Sequence, residues 1–196
     1  MTNTGIVILA AGNSSRLGKP KQLLFHQNKT LLRHTADEAI DAMLGPVAVV
    51  LGHNAETIAS SIAERPLQII FNPQWQEGLA SSISTGLSNI LSLHPSIQSV
   101  ILAVCDQPFL TTSVFQQLLT EHLQTGKGII ASSYADTVGT PALFHRRYFQ
   151  NLLQLKGADG AKKVMQAYKD FMTTIPFSKG SVDIDTAEDY ERFKSL

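Results

Sequence analysis

Apolar residues in this chain gather into short continuous runs, and stretches with helical spacing separate the runs. Residues 6–11 are apolar throughout, as a strand buried on both faces would be. Residues 47–51 and 100–104 repeat that pattern, and 67–71 and 129–132 follow it with one polar residue each, Gln68 and Ser132. Between the first two runs, residues 30–43 set Leu31, Leu32, Ala36, Ala39, Ile40 and Met43 on one helical face, and Gly45-Pro46 closes the helix. Asn54 reads as the cap of a short helix reaching residue 64. A further helix opens near Ser81 or Ser82, and another runs from Thr111 or Thr112 through Leu123. Beyond Ser133 the rhythm changes. Residues 134–143 read as a loop and a short strand, 146–155 and 161–168 as helices, 172–175 as a strand and 187–193 as a last helix. Alternating strands and helices predict an α/β fold. The chain, residues 1–196, reads as one three-layer α/β/α domain around a Rossmann-like, mostly parallel sheet. The part after Ser133 is where an antiparallel strand enters.

Composition narrows the function. The chain has 196 residues, 43% hydrophobic and 16% charged, with zero formal net charge. Such a balance speaks against nucleic acid or an anionic membrane as partner, so any phosphate site must be local. No apolar run approaches the length of a membrane span. Cys105 is the one cysteine, which excludes an intrachain disulfide. Residues 1–4 lead straight into the first strand without a signal peptide, and a cytoplasmic location is expected.

The first strand ends in the most informative segment. Leu9-Ala10-Ala11-Gly12 runs into a loop patterned G-x-S-x-R-x-G-x-x-K, formed by Gly12, Ser14, Arg16, Gly18 and Lys21. Glycines allow close backbone approach to a ligand, Ser14 and the amides donate hydrogen bonds, and Arg16 and Lys21 bring positive charge. At the carboxyl end of a strand these suit a polyphosphate. The pattern is neither a Walker loop nor a dinucleotide fingerprint. A solvated surface loop would use the same residue types.

Three further clusters fall beyond later strands. Asp106 follows the run 100–104, on the sheet edge where ligands bind, and an acid facing a polyphosphate there is a natural Mg²⁺ ligand. Asp also caps helices, but Pro108 separates Asp106 from the helix start. Residues 72–83 hold the single tryptophan, Trp75, and then Gly78, Ser81 and Ser82, whose amides and hydroxyls suit a nucleobase edge. Trp75 reads as a cover for the core. Residues 183–189 are acidic, and Asp185 or Thr186 there would cap the last helix, with Glu188 completing a capping box. His26, His34, His53, His94, His122 and His145 show no metal-binding spacing.

Residues 9–21 resemble the signature loop of the MobA-like nucleotidyltransferases, and within them most closely the molybdenum cofactor cytidylyltransferases. Residues 72–83 match the N-P-x-W-x-x-G-x-x-x-S-I pattern of those cytidylyltransferases. Residues 183–189 are similar to the family's D-x-D-T-x-E-D stretch, with Ala187 in place of proline. Gly139-Thr140-Pro141 and Gly157-Ala158-Asp159-Gly160 resemble segments on the acceptor side, where Lys162 stands in place of arginine.

The resemblance implies a nucleotide-diphospho-sugar transferase type of fold. It also implies transfer of CMP from CTP, or of another nucleotide, to the phosphate of molybdopterin, with release of pyrophosphate and Mg²⁺ as cofactor. Leu9, Ala10, Ala11, Gly12, Ser14, Arg16, Lys21, Gly78, Ser81 and Ser82 would bind the nucleotide. Arg16, Lys21 and Asp106 would be catalytic, and Asp106 and Asp185 would hold the metal. Thr140, Pro141, Asp159 and Gly160 would meet the acceptor. Cytidylyl members typically carry Ala at position 11, where guanylyl relatives often carry Gly. A molybdenum hydroxylase, or its maturation chaperone, is the implied recipient. GTP, a sugar or polyol phosphate acceptor, or a non-catalytic carrier of the cofactor are the alternatives.

Overall fold

The computed structural model describes residues 3–194, so the reading of the lead-in at residues 1 and 2 lies outside them. The strands are β1 (Thr4–Ala10), β2 (Phe25–His26), β3 (Lys29–Thr30), β4 (Val47–Leu51), β5 (Gln68–Phe71), β6 (Ser99–Val104), β7 (Ile129–Tyr134), β8 (Thr137–His145) and β9 (Met172–Pro176). The helices are α1 (Leu31–Asp41), α2 (Ala55–Ser60), α3 (Leu79–Leu93), α4 (Thr112–Thr125), α5 (Phe149–Leu153), α6 (Ala161–Ala167) and α7 (Ala187–Lys194). Seven strands form one sheet in the order β5-β4-β1-β6-β8-β7-β9, and β2 and β3 form a separate hairpin. Every pairing in the large sheet is parallel except those of β8, which runs antiparallel between β6 and β7.

Strand periodicity builds the layers. Ile6, Ile8 and Ala10 of β1 join Val49, Ile101 and Phe115 on the face covered by α1, α2 and α4. The alternate residues Val7 and Leu9 join Val50, Leu102 and Leu87 under α3, α5 and α6. Continuous apolar runs are what a parallel sheet covered on both faces requires. Helix α3 seats close to the sheet at Gly86, where an added Cβ would lie 2.6 Å from Val7 Cγ1 and 2.7 Å from Val50 Cγ2. A small third cluster, Leu17, Leu24, Leu31, Ile184 and Phe193, ties the first loop to the C-terminal segment. Among the described residues no helix is long and apolar enough to cross a membrane.

Several local expectations are corrected. Met43 is 87% exposed with φ of 55°, because α1 ends before it. Asn54 adopts the left-handed region, and its side chain caps nothing in α2, which stops at Ser60. Helix α3 begins at Leu79, ahead of the two serines. Residues 134–143 are not a loop with a short strand. They belong to a hairpin whose turn places Ala135 and Asp136 at φ of 45° and 59°, and β8 has nine residues. Pro141 cannot donate to the ladder, and the register shifts between Ala131 and Ser132 to pass it.

Candidate active site

The first loop, the segment after β6 and the loop before α3 meet at the carboxyl edge of the parallel strands, where open α/β sheets bind ligands. They enclose a cavity of about 410 Å³. Leu9 and Ala10 line it from β1, Ala11, Gly12, Asn13, Lys21 and Gln22 from the first loop, Cys105 and Asp106 from just after β6, and Trp75, Gly78, Leu79 and Ser82 from the third segment.

Asp106 and Asp185 are brought together although they stand 79 positions apart in the sequence. Ile184 is fully buried, and its amide donates to the Asp106 carbonyl at 3.3 Å. Helix α7 is capped reciprocally: the Asp189 amide donates to Thr186 Oγ1 at 3.1 Å and the Thr186 amide to Asp189 Oδ2 at 2.9 Å. Asp189, not Glu188, completes the capping box, which leaves the Asp185 carboxylate for the site.

Lys21 Nζ lies between the two acids, 2.5 Å from Asp106 Oδ2 and 3.0 Å from Asp185 Oδ1, and its side chain is 20% exposed. Burial opposes the ammonium charge, but Asp106 and Asp185 outweigh it and hold the Lys21 pKa above the ordinary lysine value. Burial likewise raises Asp185, and the hydrogen bonds and charges of Lys21 and Arg16 more than reverse that, so its pKa falls. Asp183 moves the other way, raised by burial and then by Asp106. Burial, with Asp106 adjacent, pushes the Cys105 thiol up to about 12, so it stays protonated at neutral pH.

Not every expected residue lines the cavity. Arg16 lies outside it, with a mostly exposed side chain whose Nη2 is 2.6 Å from Asp185 Oδ2. Ser14 accepts from the Lys21 amide at 3.0 Å and so shapes the loop. Ser81 is turned back on its own segment: its hydroxyl meets the carbonyls of Gln74 and Gly78 and accepts from Asn72 Nδ2. Trp75 packs against the core and also lines the cavity, its ring 5.3 Å from that of His53. Asp159 pairs with Lys163 at 2.8 Å, and the Thr140 carbonyl accepts from Gln107 Nε2 at 3.1 Å. Thr140, Pro141, Asp159 and Gly160 do not line the cavity. Lys162 Nζ is 2.7 Å from Thr137 Oγ1 on β8.

Asn72 and Gly78 complete the architecture in roles the pattern did not assign. Asn72 is fully buried; its Nδ2 holds Ser81 and Ser82 and its Oδ1 accepts from the Gln74 amide. Asparagine before proline reads as turn chemistry, so nothing in the sequence separates this clamp from an ordinary turn. Gly78 holds φ of 108°, where an added Cβ would clash with the Gly157 carbonyl, and the Ala80 amide donates to that carbonyl at 3.1 Å. Gly78→Ala is expected to lower stability by roughly 1–3 kcal/mol and to part these two loops. A thermal midpoint equal to wild type would show that the contact carries no weight.

Known proteins resemble this chain in sequence and in fold. The MobA-like NTP transferase domain aligns with residues 6–171. Molybdenum cofactor cytidylyltransferase of Escherichia coli K12 is 22% identical over 191 residues, covering 97% of this chain and 95% of that protein. The bifunctional protein GlmU of Bacillus velezensis is 27% identical over 167 residues, 84% of this chain; the match spans about a third of GlmU, 33% of its length. Rv0371c of Mycobacterium tuberculosis H37Rv superimposes with a TM-score of 0.87 at 28% identity, covering 100% of this chain and 98% of that one. A manganese complex of the same protein gives 0.82 at 26%, with both chains fully covered. With its family matched over most of its length and its sheet shared with a solved relative, this chain belongs to the MobA-like NTP transferase domain family.

Proposed function

We propose that this nucleotidyltransferase moves CMP from CTP to the phosphate of the molybdopterin cofactor and releases pyrophosphate. The observation that carries the reading is the convergence of Lys21, Asp106 and Asp185 at the mouth of a cavity walled by Ala11. Similarity to the E. coli cytidylyltransferase along nearly the whole chain supports the choice of donor and acceptor.

The acceptor phosphate attacks the α-phosphorus in line, so no covalent intermediate on the protein is required. Arg16 and Lys21 bind the triphosphate and offset the charge that develops on the α-phosphate and departing pyrophosphate. Gly78, Ser82 and the Cβ of Ala11 shape the base pocket. Thr140, Pro141, Asp159 and Gly160 meet the acceptor. The two carboxylates already embrace one cation, the Lys21 ammonium, so their donor set fits Mg²⁺ once phosphate oxygens complete it. Held by Asp106 and Asp185, Mg²⁺ would supply charge neutralisation and orientation of the phosphates. The manganese complex of Rv0371c supports divalent metal use. A molybdenum hydroxylase or its maturation chaperone would take the product.

The resemblance to the MobA-like nucleotidyltransferases leaves one second reading, a sugar or polyol phosphate as acceptor. The deciding assay offers all four nucleoside triphosphates with molybdopterin cofactor or a sugar 1-phosphate and Mg²⁺, and follows pyrophosphate. CTP with molybdopterin is expected to give the highest rate. Faster release with a sugar phosphate, or with GTP, would replace the proposal.

A further inference from the structure

Gln22 spends both of its amide hydrogens on the main chain of the first loop. Its Nε2 donates to the Ala10 carbonyl at 2.8 Å and to the Gly12 carbonyl at 2.9 Å. The carbonyl between them, that of Ala11, accepts from the His53 amide at 3.2 Å. Three successive carbonyls are therefore engaged by protein donors. The amides of Gly12, Asn13 and Ser14 meet no protein acceptor among the described residues. Main-chain donors and acceptors come in equal numbers, so occupying the acceptors leaves this stretch with a surplus of donors. Gly12 and Asn13 line the cavity.

The arrangement costs stability. Gln22 is 1% exposed, and its Oε1 is buried without a partner among the described residues. Flipping the amide does not relieve this, because Oε1 would then face two carbonyl oxygens. Buried unpaired acceptors are rare in native proteins and ask for a reason.

We propose that Gln22 is a positioning residue that sets the hydrogen-bond polarity of the first loop. It engages the loop's carbonyls so that amide donors remain for an anionic polyphosphate. The inference rests on the nucleotide reading above, and the test separates the two. Inorganic tripolyphosphate is titrated calorimetrically into wild type and Gln22→Met without divalent metal, and KM and kcat are measured with CTP. Losing charge-assisted amide contacts should weaken tripolyphosphate about tenfold or more. KM for CTP should rise by a similar factor while kcat holds, since ground state and transition state lose the contacts alike. Equal tripolyphosphate affinity in the two proteins overturns the role of Gln22 and leaves the nucleotide reading standing. Absence of binding to wild type overturns both. A second measurement needs no variant: hydrogen exchange at Gly12, Asn13 and Ser14 should be fast in the free protein and slowed by tripolyphosphate. Exchange that the anion does not slow overturns the proposal even if Gln22→Met fails to fold.

Discussion

Asp106→Asn is expected to lower kcat for pyrophosphate release on the order of 10²–10³-fold while leaving the fold intact. The residue follows two positions after Val104, the last residue of the largely buried strand β6, so its backbone position is set by the sheet rather than by its own side chain. Its carboxylate has two tasks in the proposed reaction. It orients Lys21, 2.5 Å away, and it provides half of the donor set that fits a divalent cation. Asparagine keeps the shape and loses the charge, so both tasks fail at the same step. Both loaded substrates still bind through the loop and the base pocket, which places the loss in kcat more than in KM. Near-native kcat in a folded Asp106→Asn protein would remove Asp106 from the machinery. The charges involved do not change around neutrality. Asp185 has its pKa lowered, so its ion pairs are present above the ordinary carboxylate range and fade only as pH falls below it. Lys21 has its pKa raised, so its pairing is present below the ordinary lysine range and fades only above it. The deficit of the variant should therefore be the same from roughly pH 6 to 9.

Much of this site is legible in the sequence because strand ends are. Runs such as 6–11 and 100–104 announce buried parallel strands, and in such a sheet Gly12 and Asp106, which follow them, must fall on one edge. Asp185 is different. No periodicity connects it to Asp106; it arrives because Ile184 is buried and donates to the Asp106 carbonyl, and because Leu17 and Phe193 share a cluster. Its place in the site followed from resemblance alone. The antiparallel strand after Ser133 is legible, but its tight hairpin and its length are not, because the turn uses Ala135 and Asp136 rather than Asn-Gly and because Pro141 argues against a central strand. Ser81 shows the limit of reading residue types. A serine at a helix start beside a cavity looks like a ligand contact, yet its hydroxyl is consumed by Gln74, Gly78 and Asn72. Gln22 is invisible, and the role of Asn72 unreadable, for the complementary reason: an amide side chain carries no sign of whether it will bind main chain or substrate.

Lys21→Met should raise the affinity of the nucleotide-free protein for Mn²⁺ by tenfold or more, although the same change should cripple turnover. The two effects have one origin. The Lys21 ammonium contacts oxygens of both Asp106 and Asp185, the oxygens on which a divalent cation would depend. One volume between two carboxylates does not hold an ammonium and a metal ion together, so in the free protein the two compete. Methionine has similar length and no charge, which leaves the carboxylates unneutralised and strengthens their hold on a cation; tenfold corresponds to about 1.4 kcal/mol. Asp183, its pKa raised by burial and then by Asp106, adds to the negative potential that the variant would expose. With nucleotide bound, the phosphates offer Lys21 other partners, and its loss then removes charge stabilisation where the reaction needs it. Binding is read from the electron paramagnetic resonance of free Mn²⁺ in titrations of wild type, Lys21→Met and the double variant Lys21→Met/Asp106→Asn. The single variant should bind more tightly than wild type, and the double variant should lose the gain. Equal affinity in wild type and Lys21→Met would mean that the metal does not use the oxygens Lys21 occupies. The pairing of Lys21 with Asp106 and Asp185 would then be structural, and a divalent ion would have to be sought elsewhere along the sheet edge.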